Sequence, residues 1–282
     1  MQIRTIAVLG AGTMGHGIAH AAIAGGYATR MYDVTDAAVE KGRAAIDGIV
    51  RKGVELGKVA ASDADTILAR LTTTSSLAAA LSDVDFIIEA SPEKIDLKLA
   101  LFQQIEQLAP AAAIVASNTS ALSITEMAGS LKNPSRVGGM HFFNPVHRMK
   151  LIEIVRALES APATLEAIEA VSRAMGKETV LVRESPGFIT TRVNASIGNE
   201  AFYMLMEGVA SARDIDKALK LGLNHPMGPF ELVDLVGLDT RLSILEYLHR
   251  SMGEKYRPCP LLAQYVKAGR LGRKAGRGVY DY

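Results

Sequence analysis

Residues 3 to 24 constrain the fold of this chain more than any other stretch. Ile3 to Leu9 is a short apolar run, Gly10-Ala11-Gly12-Thr13-Met14-Gly15 is a complete G-x-G-x-x-G, and Thr13 to Ala24 reads as an Ala-rich helix ended by Gly25-Gly26. A strand that turns through glycine directly into a helix is the opening of a βαβ unit. Gly10 permits the tight turn, Gly12 lets a diphosphate approach the backbone, and Gly15 allows close packing of helix on strand. The helix N-terminus at Thr13 and Met14 supplies N–H donors and positive potential for an anion. A second strand, Ala28 to Tyr32, delivers Asp33 eighteen residues after Gly15, where a carboxylate suits a ribose 2′-hydroxyl. The next base downstream is Lys41, so a 2′-phosphate would meet repulsion and NAD is expected rather than NADP. The competing reading is a glycine turn with no ligand.

Strand and helix continue to alternate. Thr35 to Val50 reads as a helix, Val84 to Glu89 as a strand, Lys94 to Leu108 as a helix and Ala112 to Ala116 as a strand, which predicts a doubly wound parallel sheet. Ligands of such sheets bind outside the carboxyl ends of the strands. Two of those ends carry polar clusters, Glu89-Ala90-Ser91-Pro92-Glu93 and Ser117-Asn118-Thr119-Ser120. Ser91-Pro92-Glu93 is read first as a helix N-cap, whereas Ser117 to Ser120 is too polar for a cap alone.

The character changes after Val180-Leu181-Val182. From Ser185 onward, helices are expected over about 188–208, 212–221, 230–250 and 259–268, with a strand only in a possible tail. The expected organisation is α/β: an N-terminal Rossmann-type domain over 1–184 and an all-α domain over 185–282. An apolar face of Val193, Ile197, Ala201, Met204 and Leu205 hints at a homodimer, although it could instead pack on the first domain.

Composition narrows the function classes. A net charge of +1 gives no global field for nucleic acid or an anionic membrane, so any anionic ligand must be recruited locally. The single cysteine, Cys259, rules out an intramolecular disulfide framework, and no Cys/His spacing suits a metal. The first strand begins by Ile3, and no apolar run approaches the ~18 residues of a membrane span. A cytoplasmic protein is the resulting expectation.

A second segment speaks to chemistry. Residues 136–143 and 150–155 read as extended, and a turn centred near His147 places His141 and Glu153 opposite each other, six residues from the centre on either side. Leu151 and Val155 share the face of Glu153, so the carboxylate sits in an apolar strand and requires a partner. An imidazole N–H serves, because the carboxylate fixes the tautomer and stabilises the imidazolium. Beside a redox cofactor, such a base suggests alcohol oxidation. A purely structural His–Glu hydrogen bond is the other reading.

GAGTMG at 10–15, EA-x-x-E at 89–93, SNTS at 117–120, HFFNPVHRMKLIEIV at 141–155, SPGF at 185–188, HPMGPFELVDLVGLDT at 225–240 and GRKAGRGVY at 272–280 together resemble the 3-hydroxyacyl-CoA dehydrogenases, most nearly the free-standing bacterial 3-hydroxybutyryl-CoA type. The motifs keep the family's order over essentially the whole chain. The resemblance implies that an L-3-hydroxyacyl-CoA and a 3-oxoacyl-CoA are interconverted with NAD, with His141 as general acid/base and Glu153 orienting it. It implies that Ser120 bonds the reacting oxygen and that Asn144 holds substrate and nicotinamide in register, beside a turn-forming alternative for Asn144 before Pro145. Glu93 and Lys98 match positions at the cofactor ribose and the cofactor–substrate boundary. Lys274 matches a C-terminal lysine that returns toward the nicotinamide; for both lysines a solvated surface role is the alternative.

Two departures from the family pattern stand out. Thr191 occupies the place of an active-site Asn, which predicts altered acyl preference, with Asn194 one helical turn on. In the 35–60 helical hairpin, the positions that match CoA contacts are the apolar Ile49 and Leu56, while Arg51, Lys52 and Lys58 lie nearby. Either these bases hold the CoA phosphates or the carrier is contacted elsewhere. A dehydrogenase of the same fold for a free hydroxy acid, and a non-catalytic NAD-binding protein, complete the set of readings.

Overall fold

A computed structural model describes residues 2–282 of the chain. The chain folds as two units, 1–184 and 185–282.

The first unit runs β1 (Thr5–Leu9), α1 (Thr13–Ala24), β2 (Ala28–Tyr32), α2 (Asp36–Glu55), α3 (Ala61–Leu68), β3 (Leu71–Thr74), α4 (Leu77–Leu81), β4 (Phe86–Glu89), α5 (Ile95–Leu108), β5 (Ile114–Ser117), α6 (Ile124–Ala128), β6 (Val137–Phe142), β7 (Leu151–Arg156), α7 (Pro162–Ala174) and β8 (Glu178–Arg183). Its eight strands lie in the order β3-β2-β1-β4-β5-β6-β7-β8. β1 to β6 run parallel, β7 is antiparallel to β6, and β8 is parallel to β7. β4 and β5 are buried at every residue, as parallel strands covered on both faces require. Ile6, Val8, Ile18, Met31, Ile88 and Ile154 are among the side chains of one continuous core.

The helix expected over Thr35 to Val50 starts as anticipated, with Thr35 Oγ1 accepting from Ala38 N at 3.2 Å, but continues to Glu55. The structure adds elements that the sequence pattern does not announce, among them α3, β3, α4, α6 and α7.

One row of registered residues crosses the carboxyl end of the sheet. Tyr32 pairs with Leu9, Leu9 with Glu89, Glu89 with Ser117, and Ser117 with Gly139. Asp33, the glycine turn, Ala90 to Glu93, Asn118 to Ser120 and His141 all follow this row within a few residues, so sheet register alone gathers them at one edge.

The second unit contains α8 (Thr190–Met206), α9 (Ala212–Gly222), α10 (Pro229–Val236), α11 (Leu238–Met252) and α12 (Pro260–Lys267). The single helix expected over 230–250 is two helices. Gly237, at φ +107°, breaks it in a backbone region that side-chain-bearing residues avoid. Phe202 and Phe230 meet edge to face in this core, with ring centroids 5.2 Å apart. The C-terminal tail is tied down by buried Asp234, which accepts from Val279 N, Tyr280 N and Tyr282 Oη at 2.8, 2.9 and 3.0 Å. Of the apolar face expected on α8, Ala201 is buried and Met204 and Leu205 pack against this core, whereas Val193 is 54% exposed; the other fully buried positions are Ala195, Gly198, Asn199 and Phe202.

Candidate active site

The glycine turn is shaped by contact as well as by flexibility. Gly10 takes φ +115°, and a Cβ there would lie 2.6 Å from the Ala90 carbonyl oxygen. A Cβ on Gly15 would fall 1.8 Å from the Gly10 carbonyl oxygen, so the first turn of α1 packs on the strand end with no room for a side chain. Gly12 differs, since a Cβ there meets nothing within 4 Å. Its backbone borders a cleft of about 710 Å³ lined by Thr13, Met14, Asp33, Val34, Ser91 and Leu97, among others. The Asp33 carboxylate is anchored beside the turn by the N–H groups of Ala11 (2.7 Å) and Val34 (2.8 Å). An anchored carboxylate, an open glycine backbone and apolar walls suit a dinucleotide.

A buried ionic network stands at the ends of β4 and β5. Lys98 Nζ lies 2.7 Å from Glu89 Oε1, with side chains 1% and 0% exposed. Ser117 Oγ donates to Glu89 Oε2 at 2.5 Å, and Ser91 donates to Oε1 through both its N–H and its hydroxyl. Lys98 also reaches the Ser91 carbonyl at 3.2 Å and Glu93 Oε2 at 3.5 Å. Glu93 Oε1 in turn accepts from Thr119 Oγ1 at 2.6 Å and from Ser120 N at 2.8 Å. Asn118 Oδ1 accepts from Phe142 N at 2.9 Å and so ties this segment to β6.

One expectation changes as a result, and one alternative falls away. Ser91-Pro92-Glu93 is not a helix cap: α5 starts after Lys94 with no side-chain cap, and these residues serve the network instead. Lys98 is not a surface lysine, because its ammonium is held by Glu89 behind Glu93.

The β6–β7 pair puts His141 directly opposite Glu153 in antiparallel register. His141 Nδ1 is 2.7 Å from Glu153 Oε2, with side chains 5% and 0% exposed. Asn144 lies just beyond, exposed in the turn and joined to Pro145 by a cis peptide bond.

The match extends along the chain. Residues 5–185 fit the 3-hydroxyacyl-CoA dehydrogenase NAD-binding domain, and residues 187–282 fit the C-terminal domain of the same family. The chain belongs to the 3-hydroxyacyl-CoA dehydrogenase family. It is 46% identical to a probable 3-hydroxybutyryl-CoA dehydrogenase of Bacillus subtilis, over 100% of this chain and 98% of that one. It is 43% identical to the 3-hydroxybutyryl-CoA dehydrogenase of Bradyrhizobium diazoefficiens, over 99% and 96% of the two chains. The crystal structure of (S)-3-hydroxybutyryl-CoA dehydrogenase from Ralstonia eutropha superposes with a TM-score of 0.96 at 44% identity, over 100% and 99% of the two chains. As a member of this family the protein is an NAD-dependent oxidoreductase. Among the described residues no helix is long and apolar enough to cross a membrane.

Thr191 and Asn194 are both partly buried in the first turns of α8. Lys274 Nζ contacts both carboxylate oxygens of Asp239 at 2.7 Å, in the C-terminal unit. Lys52 pairs with Glu55, and Arg51 with Asp47, each at 2.7 Å along the exposed side of α2. Lys58 is exposed in the α2–α3 turn.

Sequence reasoning missed Glu89 as the hub of the buried network. It also missed Glu184, whose carboxylate accepts from Ser123 Oγ, Thr125 N and Thr125 Oγ1 at 2.6, 2.8 and 2.6 Å and so holds the start of α6. Val34 and Leu97, 75% and 50% exposed, had not been read as cleft walls. An apolar residue directly after Asp33 was the available signal for Val34.

Proposed function

We propose that this enzyme interconverts an L-3-hydroxyacyl-CoA and the corresponding 3-oxoacyl-CoA, with His141 moving the proton. The observation that carries this reading is the buried His141–Glu153 pair at 2.7 Å. With the carboxylate on Nδ1, the neutral imidazole carries its proton there and presents the Nε2 lone pair. In oxidation Nε2 takes the proton of the 3-hydroxyl as C3 gives up a hydride; in reduction the imidazolium returns the proton to the 3-oxo oxygen. NAD, when bound, supplies the acceptor or donor of that hydride. Glu153 holds the ring in place and stabilises the imidazolium, which otherwise forms in apolar surroundings.

Ser120 hydrogen-bonds the reacting oxygen, and Glu93 supports it by accepting its backbone N–H. Asn144 keeps substrate and nicotinamide in register. Gly10, Gly12, Thr13, Met14 and Gly15 receive the diphosphate, and Asp33 the ribose. Glu93 meets the second ribose, with Lys98 acting through it at 3.5 Å. Within the C-terminal unit, taken from Ser185, Thr191 is assigned to the acyl group and Lys274 to the cofactor by the family pattern, and α8 pairs two copies in a homodimer. Lys52 and Lys58 face the CoA carrier. The L configuration follows the (S)-specific relative.

Consumption of NADH with acetoacetyl-CoA, run beside free acetoacetate and beside NADPH, tests the reading. Turnover is expected with the thioester and NADH. Comparable turnover of free acetoacetate would instead establish a free hydroxy acid dehydrogenase. Thr191→Asn should change kcat/KM unequally across acyl chain lengths; an identical profile would remove Thr191 from the acyl site.

A further inference from the structure

One buried charge in the C-terminal unit takes no part in these steps. Arg241, in the first turn of α11, is 2% exposed. Its Nε has no hydrogen-bond partner, and no carboxylate pairs with its guanidinium among the described residues. Burial pushes Arg241 down to about 10, so it is still a cation at neutral pH. A cation held out of water without a partner is costly, and buried charges are ordinarily found where an anion meets them. The buried acids of the same unit are engaged elsewhere. Asp234 accepts from Val279 N and Tyr280 N, and Asp216 accepts from Phe230 N, Glu231 N and Tyr280 Oη. Asp239, two residues before Arg241, is taken by Lys274 through both oxygens.

The position of this charge on α8 gives it a direction. Thr191, Asn194, Ala195 and Gly198 fall at i, i+3, i+4 and i+7 and so share one face of that helix. A Cβ on Gly198 would stand 3.2 Å from Val233 Cγ2, 3.8 Å from Arg241 Nε and 3.9 Å from Arg241 Cδ. The bare backbone of Gly198 therefore lets the stem and Nε of Arg241 lie against α8. Thr191 and Gly198 are separated by about 10 Å along the helix axis, at 1.5 Å per residue. Read from Thr191, the face offers a hydroxyl, then an amide, then an unpaired guanidinium. A purely alkyl chain has no group to meet the last of these.

We propose that Arg241 receives a carboxylate at the far end of the acyl chain, so that the preferred substrate is a 3-hydroxyacyl-CoA whose acyl group is itself an acid. The inference rests on the reading of the substrate as a CoA thioester and of Thr191 as an acyl contact. A guanidinium presents a planar fork of N–H donors that matches the two oxygens of a carboxylate, and such charge-assisted pairs are the strong ones. The ligand's charge offsets the desolvation of Arg241, whereas a methyl terminus at the same place leaves the guanidinium unpaired. Arg241 is thus a specificity-determining residue, remote from the proton and hydride transfers.

The test compares 3-oxoadipyl-CoA with 3-oxohexanoyl-CoA, which have the same chain length and differ only at the terminal carbon, carboxylate against methyl. Reduction of each with NADH is measured for the wild type, Arg241→Met and Arg241→Lys. Calorimetric binding of adipyl-CoA and hexanoyl-CoA provides a readout independent of turnover. The ratio of kcat/KM, acid over alkyl, should be about tenfold or more in the wild type and fall to about one or below in Arg241→Met. Arg241→Lys keeps a charge but loses the fork, and its ratio should lie between the two. A wild-type ratio below about threefold would overturn the proposal by itself, whether or not the variants fold, and leave the reaction assignment standing. A ratio in Arg241→Met equal to that of the wild type would also overturn it. Wild-type enzyme that binds adipyl-CoA more tightly than hexanoyl-CoA, loses that preference in Arg241→Met and reduces neither thioester would overturn the reaction assignment and support the carboxylate site.

Discussion

His141 and Glu153 are directly opposed across the antiparallel β6–β7 pair, with Nδ1 2.7 Å from Oε2 and both side chains withdrawn from solvent. A carboxylate fully buried on the face of β7 that it shares with Val155 is stable only with such a partner, and the same contact fixes which imidazole nitrogen meets the substrate.

Glu153→Gln keeps the shape of the pair and removes its charge. The variant should fold normally and lose about a hundredfold or more in kcat, with KM for NADH little changed. Steady-state kinetics beside thermal unfolding would check this. Loss confined to Tm would reduce Glu153 to a structural residue.

Gly12 and Gly15 should separate binding from folding. Gly15→Val forces a side chain into the Gly10 carbonyl, whereas Gly12→Val enters open space at an ordinary φ of −64°. Gly12→Val is therefore expected to keep the wild-type Tm and lose NADH binding, and Gly15→Val to lose stability first. NADH fluorescence titration and calorimetric Tm values distinguish the two.

The Glu89–Lys98 pair is buried on both sides, at 0% and 1% exposure. Lys98→Met leaves an uncompensated carboxylate and should cost about 3–5 kcal/mol in urea unfolding. Glu89→Gln/Lys98→Met should recover much of that loss, because no charge then remains buried. Equal destabilisation in the single and double variants would show that packing, not charge, sets the cost.

His20 is held at about 4, below its ordinary 6.5, chiefly by burial. Between those two values the unfolded chain binds a proton that the folded chain refuses, so stability falls as pH drops through that window. His20→Gln should lessen the fall in Tm between pH 7 and 5, and an unchanged slope would assign the acid sensitivity to other groups.

Much of this was legible in the sequence because the relevant physics is local. Thr13–Ala24 is bounded by a glycine turn and a Gly-Gly stop, and equal counting from His147 was enough to pair His141 with Glu153. The omissions are of another kind. β3 is a four-residue edge strand, Leu71–Thr74, too short to show alternation. Gly237 is masked by apolar neighbours that read as one helical run. The Glu89–Lys98 bond and the grip of Glu184 on Thr125 join residues 9 and 59 positions apart, beyond the reach of local patterning.

The most direct test of the proton-transfer role is the turnover of acetoacetyl-CoA with NADH by His141→Gln, measured beside the affinity of the same variant for NADH. Turnover should fall by about a hundredfold or more while NADH binds as in the wild type. Turnover within about tenfold of wild type would mean that another group moves the proton, and His141 and Glu153 would then be a buried structural pair.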